Sequence, residues 1–142
     1  CAQFERAINL EPKQADYYLL LATAQKKMGE NERAEQLYAQ GISLDIAHEE
    51  LWIERIDNMQ AIEAHDQALK IADFGLEHLP ESSGIRYRQF ISHYALKQFA
   101  KAFDYLEHLL THYYDGAEEL LNLLPALAND ARFVDRYERY KP

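Results

Sequence analysis

The sequence reads AEQLYAQGISL from Ala34 to Leu44. Two later stretches follow the same pattern, ALKIADFGLEH from Ala68 to His78 and AFDYLEHLLTH from Ala102 to His112. The three copies are spaced 34 residues apart, and small or apolar residues occupy matching places in each. A fixed period of this length is typical of one supersecondary unit copied in tandem. Because the apolar residues within a copy recur three and four positions apart, the repeated unit is predicted to be helical.

Composition agrees with a folded, all-α protein. The chain has 142 residues, of which 48% are hydrophobic, and contains only 5 Gly and 4 Pro. Its net charge of −9 disfavours binding to a phosphate backbone, so no nucleic-acid partner is predicted. No apolar run approaches the ~20 residues of a membrane span. A single cysteine favours a reducing compartment, and a cytoplasmic location without membrane association is expected.

Each copy is predicted to hold two antiparallel helices joined by a tight turn. Gly29 should end the first helix of one copy in the left-handed conformation, and Asn31 should cap the next helix. Ser82 or Ser83, and later Asp130, are predicted to cap two further helices. Full copies are assigned to residues 15–48, 49–82 and 83–116. Residues 1–14 are assigned to the second half of a truncated copy and residues 117–142 to a C-terminal capping segment, within one domain over residues 1–142. We expect the chain to be the C-terminal part of a longer repeat protein.

The small residues of the repeat indicate close packing between helices. Ala34, Ala68 and Ala102 are expected where two helices cross, and Gly41 and Gly75 where neighbouring copies touch. Trp52 is expected to fill the core between helices.

These residues resemble the tetratricopeptide repeat family, whose pattern combines an aromatic residue, Leu-Gly, Ala, a second aromatic residue and a closing Pro. The matching residues are Tyr18, Leu21, Ala22, Ala34 and Tyr38 in the first full copy, Trp52, Ala68 and Pro80 in the second, and Ala102 with Leu106 in the third. Arg55 and Ile56, and then Arg86, Gln89 and Phe90, depart from it. The resemblance covers about residues 1–116 and implies a right-handed α-solenoid. The bulky Ile56 and Phe90 should splay their helix pairs.

The resemblance also implies a concave groove lined by the first helix of each copy, where a protein or peptide partner would bind. The implied groove residues are Asp16, Leu19, Thr23, Lys26, Glu50, Ile53, Asp57, Gln60, Tyr87, Arg88, Ile91 and Tyr94. Leu19, Ile53 and Tyr87 should form an apolar ridge flanked by the carboxylates of Asp16, Glu50 and Asp57. This combination predicts a partner segment that carries apolar and basic residues. One subfamily instead binds acidic chaperone tails through a clamp of Lys, Asn and Arg, but only Arg88 resembles a clamp residue here.

No motif for catalysis or cofactor binding occurs in the sequence, so no enzyme activity and no cofactor are predicted. His108 and His112 stand four residues apart, a spacing that can hold a metal ion. Two imidazoles form an incomplete site, and His112 is expected to be a half-buried packing residue, so no metal site is predicted. Glu50, Glu54 and Asp57 share one helical face and are interpreted as a solvated acidic surface or a stripe for a basic partner.

The sequence therefore favours a protein–protein interaction scaffold. Two alternatives stay open at this point. One is a regulatory or substrate-recruiting segment of a larger enzyme. The other is a structural element that self-associates through an exposed N-terminal repeat face, which includes Phe4 and Ile8.

Overall fold

The computed structural model describes residues 14–142 of the chain. The predictions for the truncated copy and for the self-association face at Phe4 and Ile8 lie outside the described residues. The chain divides into two compact units, Cys1–Pro80 and Glu81–Pro142. We call these unit 1 and unit 2 and describe each by itself.

Unit 1 contains four helices between residues 14 and 80. They are α1 (Gln14–Lys27), α2 (Asn31–Leu44), α3 (Glu49–Ala61) and α4 (His65–His78). Unit 2 begins with α5 (Ser83–Ala95) and α6 (Phe99–His112). Two 3₁₀ turns and two helices follow: Tyr114–Gly116, α7 (Glu118–Leu123), Pro125–Asn129 and α8 (Ala131–Arg139). No strand occurs among residues 14–142, and the predicted all-α solenoid class of helical hairpins is confirmed.

The turn within each helical hairpin contains one residue in the left-handed conformation. Gly29 has φ 82°, and Glu63 and Lys97, which follow it at intervals of 34 residues, have φ 60° and 63°. In all three turns the next residue donates its N–H to the carbonyl five positions earlier, at 2.9, 2.9 and 3.0 Å. This bond closes the end of the preceding helix. The sequence identified this conformation only at Gly29, because Glu and Lys carry no local signal for it.

Asn31 does not cap α2, and this prediction was wrong. The N-cap is Glu30, whose side chain makes no capping bond. The Asn31 amide instead donates to Oδ1 of the buried Asn58 at 2.8 Å, and Asn58 Nδ2 donates to the Asn31 carbonyl at 2.9 Å. The pair ties the start of α2 to α3, a contact between successive hairpins that no local pattern reveals.

The small and aromatic residues of unit 1 pack as the repeat predicted. Ala34 and Ala68 are buried. A Cβ atom on Gly41 would lie 3.0 Å from both Leu51 Cδ1 and Tyr18 Cβ, so a larger residue here would force α2 away from its neighbours. Trp52 is 4% exposed and donates its indole N–H to the Ile46 carbonyl at 2.8 Å.

Unit 2 is built around an aromatic cluster. Phe90 is fully buried, and its ring centroid lies 5.8 Å from that of Phe103 and 6.5 Å from that of Phe133. The predicted caps are confirmed. Ser82 Oγ accepts the Ile85 N–H at 3.2 Å, and Asp130 Oδ1 accepts the Arg132 N–H at 2.9 Å. Phe90 thus belongs to the aromatic core of unit 2.

Candidate functional site: the α1–α3 face of unit 1

The candidate binding surface of unit 1 lies on α1 and α3, which pack against each other. The α1–α3 face comprises the predicted groove residues Asp16, Leu19, Thr23, Lys26, Glu50, Ile53, Asp57 and Gln60. Two charged contacts join its helices. Lys26 Nζ lies 3.9 Å from Glu54 Oε2, and His48 Nε2 lies 2.7 Å from Asp16 Oδ1. These contacts hold the two helices of the face in register.

His48 has two bonding partners that assign its tautomer. Its Nδ1 accepts the Leu51 N–H at 3.3 Å and caps α3. Since that nitrogen is an acceptor, the ring hydrogen resides on Nε2 and is donated to Asp16. The His48 imidazole thus caps α3 and also bonds to Asp16 in the first turn of α1.

The two apolar positions of the face, Leu19 and Ile53, are half-buried and stand one repeat period apart. Asp16 and Glu50, which flank them, are exposed. A surface of this kind offers a partner apolar contact area with charge at its edge, an arrangement typical of peptide-binding grooves.

The base of the face contains a buried phenol near negative charge. Tyr38 is fully buried, and its hydroxyl lies 3.1 Å from Thr23 Oγ1. Burial raises the pKa of Tyr38, the Thr23 hydrogen bond opposes this shift, and the negative charges of Glu54 and Asp57 add to it. Burial is the main cause of the shift, and Glu54 and Asp57 of α3 add negative charge near the phenol.

Charge is unequally divided between the units. Residues 14–80 contain 13 Asp and Glu against 5 Lys and Arg, whereas residues 81–142 contain 9 against 8. Nearly all of the net negative charge of the described residues therefore belongs to unit 1.

The predicted groove residues on α5 make contacts within unit 2. The prediction that Tyr87 extends the apolar ridge was wrong. This residue is fully buried, and its hydroxyl donates to the Tyr113 carbonyl at 2.6 Å. Its ring lies against Gly116, where a Cβ atom would be 2.8 Å from Tyr87 Cε2. Burial raises the pKa of Tyr87, so the phenol stays neutral. Ile91 is also buried, at 7% exposure.

The polar groove positions on α5 bind the C-terminal segment. Arg88 is 4% exposed and donates from Nη1 to the Gly84 carbonyl and from Nη2 to Glu119 Oε1, each at 3.0 Å. Tyr94 donates its hydroxyl to Asp130 Oδ2 at 2.7 Å. The family resemblance assigned Arg88 and Tyr94 to the groove. Their partners, Glu119 and Asp130, lie about 30 residues later, and no short-range sequence pattern links them to α5. The only residue that resembled a clamp is therefore engaged within the chain.

Asp130 accepts several hydrogen bonds at the start of α8. Besides capping α8 and accepting from Tyr94, it accepts from Arg132 Nη2 at 2.8 Å. The Arg132 hydrogen bonds hold the pKa of Asp130 well below its usual range. The Arg132 guanidinium also lies 4.2 Å from the centroid of the Phe99 ring, and this cation–π contact joins α8 to α6.

The departures from the repeat pattern in α5 form a polar network. Arg86 Nη1 lies 3.4 Å from the Tyr105 hydroxyl, which donates to Gln89 Oε1 at 2.5 Å. Arg55, a departure in α3, donates from Nε to Glu35 Oε1 of α2 at 2.8 Å. Polar residues at apolar positions thus bond to partners on the neighbouring helix.

The expectation that His112 is a packing residue was wrong. His108 and His112 are both exposed, and their ring centroids lie 4.5 Å apart. Within residues 14–142, no group of three or more His, Cys, Asp and Glu side chains is placed to hold a metal ion. None of the helices in that part of the chain has the length and apolar character required to cross a membrane.

Comparison with known proteins finds solved structures with a similar fold. The sequence model of the family described as "Tetratricopeptide repeat" matches residues 3–36. The crystal structure of MamA has 11% identity and a TM-score of 0.67, over 96% of this chain and 82% of that one. The MamA RS-1 ArsTM double mutant has 11% identity and a TM-score of 0.64, over 96% and 79%. The second TPR domain of human RPAP3, solved by NMR in complex with the HSP70 peptide SGPTIEEVD, has 20% identity and a TM-score of 0.57, over 88% and 92%.

At these identities the structural likeness concerns the fold alone. No curated protein sequence gives a significant match. The family-model match and the fold of the helical hairpins together indicate a helical repeat protein, and the predicted resemblance to the tetratricopeptide repeat is confirmed over residues 3–36.

Proposed function

We propose that the protein is a non-catalytic interaction scaffold and that the α1–α3 face of unit 1 binds a partner segment. The observation that carries the proposal is the joint placement of half-buried Leu19 and Ile53 beside exposed carboxylates on two adjoining helices. The second TPR domain of human RPAP3, which has a similar fold and was solved with a bound peptide, supports a peptide-binding role for this array of helical hairpins.

The partner segment is expected to combine apolar and basic residues. The excess of carboxylates in residues 14–80, which include Glu50 and Asp57 of this face, attracts positive charge. An acidic segment such as SGPTIEEVD should bind poorly, because it would meet Glu50 and Asp57 with like charge. Arg88, the one residue that resembles a clamp residue for acidic tails, is bonded to Glu119.

Selection from a displayed peptide library tests the proposal, since a random library samples every combination of apolar and charged residues. We expect the selected peptides to be enriched in Leu or Ile together with Lys or Arg. The best peptide should then lose affinity for the Leu19→Ala/Ile53→Ala variant by about tenfold or more, because truncation of an anchor residue usually costs more than 1 kcal/mol.

A matched control distinguishes this face from general surface stickiness. Phe74 on α4 is 59% exposed and does not belong to the α1–α3 face, so Phe74→Ala should leave the affinity unchanged. Selected peptides with net negative charge, or equal affinity for the wild type and the double variant at unchanged helical content, would refute the proposal.

A further inference from the structure

We propose that His108 and His112 form a two-nitrogen binding site for a divalent first-row transition-metal ion, with Cu²⁺ bound most tightly. The two rings extend from the last turns of α6, four residues apart and on the same side of the helix. Their centroids lie 4.5 Å apart with a tilt of 54° between the planes. Since metal–nitrogen bonds to imidazole are about 2.0 Å long, rotation of the rings is sufficient to bring one nitrogen of each to a shared ion.

The exposure of both rings makes the pair available. A half-buried His112 would be committed to packing, but both imidazoles are solvent-exposed. Tyr105 stacks beside His108, with ring centroids 6.4 Å apart and planes 14° apart. This neighbour restricts the orientation of one imidazole without covering it.

The positions left open on the ion determine which metal fits. His112 lines an open depression together with Ser83, Thr111 and Asp115, and both rings are exposed, so water would complete the coordination of an ion held by the pair. Zn²⁺ in structural sites needs four protein ligands, whereas Cu²⁺ accepts a tetragonal set of nitrogen and oxygen donors. Affinity at a given nitrogen site also peaks at Cu²⁺ in the divalent series. Two imidazoles completed by water therefore favour Cu²⁺ over Ni²⁺ and Zn²⁺.

The other histidines provide internal controls. Residues 48, 65, 78 and 93 are each at least 13 positions from the next histidine in the sequence. His48 is bonded to Leu51 and Asp16, His78 stacks on Trp52, and His93 bonds to Gln98 at 2.7 Å. Only His108 and His112 have the spacing that chelates an ion on one helix.

The test uses untagged full-length protein and Cu²⁺ in a buffer that does not bind metals. All samples carry Cys1→Ser, because a thiol is a competing ligand. In NMR spectra of the imidazole protons, substoichiometric Cu²⁺ should broaden the signals of His108 and His112 while those of His93 and His78 stay sharp. Calorimetry should give one ion per chain. Affinity should fall more than about tenfold in His108→Gln and in His112→Gln, since even the loss of an outer-shell partner costs 10- to 100-fold.

His93→Gln should bind Cu²⁺ like the parent. Because both rings of the proposed site are exposed, the Gln variants should keep the helical content of the parent, which circular dichroism verifies. Uniform broadening of all six histidines, or equal affinity of the parent and the His108→Gln/His112→Gln double variant, would overturn the proposal.

Discussion

Replacement of Asp130 by alanine should release the C-terminal segment of unit 2. The side chain is only 10% exposed and forms three kinds of bond: the cap on α8, the bond from Tyr94 and the ion pair with Arg132. Loss of an N-cap costs about 1 kcal/mol. Loss of a hydrogen bond to a charged group costs about 1.5–3 kcal/mol. The Arg132 pair adds little because Arg132 is 48% exposed.

The expected loss is therefore about 3 kcal/mol of local stability. In hydrogen exchange this corresponds to a roughly hundredfold increase in the opening of the segment that contains α8, since 1.4 kcal/mol is a factor of ten. Exchange in α1 should not change, because α1 belongs to the other unit. Asp135→Ala is the matched control, as its pair with Arg139 joins two exposed side chains. That variant should change the free energy of unfolding by less than about 0.5 kcal/mol.

Acid should narrow the difference in the free energy of unfolding between the wild type and Asp130→Ala. The pKa of Asp130 is lowered in the folded protein, so its stabilising contribution is fully present above the ordinary value of 3.8 and decreases below it. In urea unfolding, the stability gap should shrink by about 1.4 kcal/mol for each pH unit below that value. A gap that stays constant with pH, or unchanged exchange of α8 in Asp130→Ala, would refute this account of the cap.

Three further predictions concern packing and turns. Glu63→Gly and Lys97→Gly should each stabilise the protein by about 0.5 kcal/mol, because relief of the left-handed strain exceeds the added freedom of the unfolded chain. Gly29→Ala should destabilise it by about 1 kcal/mol. If urea unfolding gave the same sign of stability change for Gly29→Ala as for the two Gly variants, the turn assignment would be contradicted. Gly41→Ala should destabilise the protein by about 1 kcal/mol, since overpacking against Leu51 and Tyr18 outweighs the gain in helix propensity. A stabilised variant would mean that α1 and α3 move apart freely. Trp52→Ala should cost about 3–5 kcal/mol, and a thermal midpoint shifted no more than by a surface mutation would show that the indole contributes little to the core.

The sequence predicted the features of this fold that depend on local patterns. The 34-residue period located the three described hairpins, Gly29 and Ser82 marked helix ends, and Asp130 marked the start of α8. These signals are local because they involve helix periodicity, a single backbone conformation or a cap three residues long.

The features that the sequence did not reveal depend on contacts between distant elements. Asn31 pairs with Asn58, and Arg88 pairs with Glu119, so each side chain serves a tertiary contact in place of its expected role. Arg88 and Tyr87 followed the groove pattern of earlier copies, but in unit 2 both side chains bond to residues that follow α6, Glu119 and Tyr113. The contact of Leu19 and Ile53 with a partner stays a prediction.

The unequal division of charge between the units has a kinetic consequence. A partner with basic residues would be drawn toward unit 1 before any contact forms, so the charge pattern would raise the association rate constant and orient the first encounter. Such long-range attraction weakens over a Debye length of about 10 Å at 0.1 M salt. Added salt should therefore slow association while it leaves the dissociation rate, which depends on contacts at Leu19 and Ile53, nearly constant. The carboxylates of unit 1 would thus govern how fast a partner arrives, and the apolar residues how long it stays.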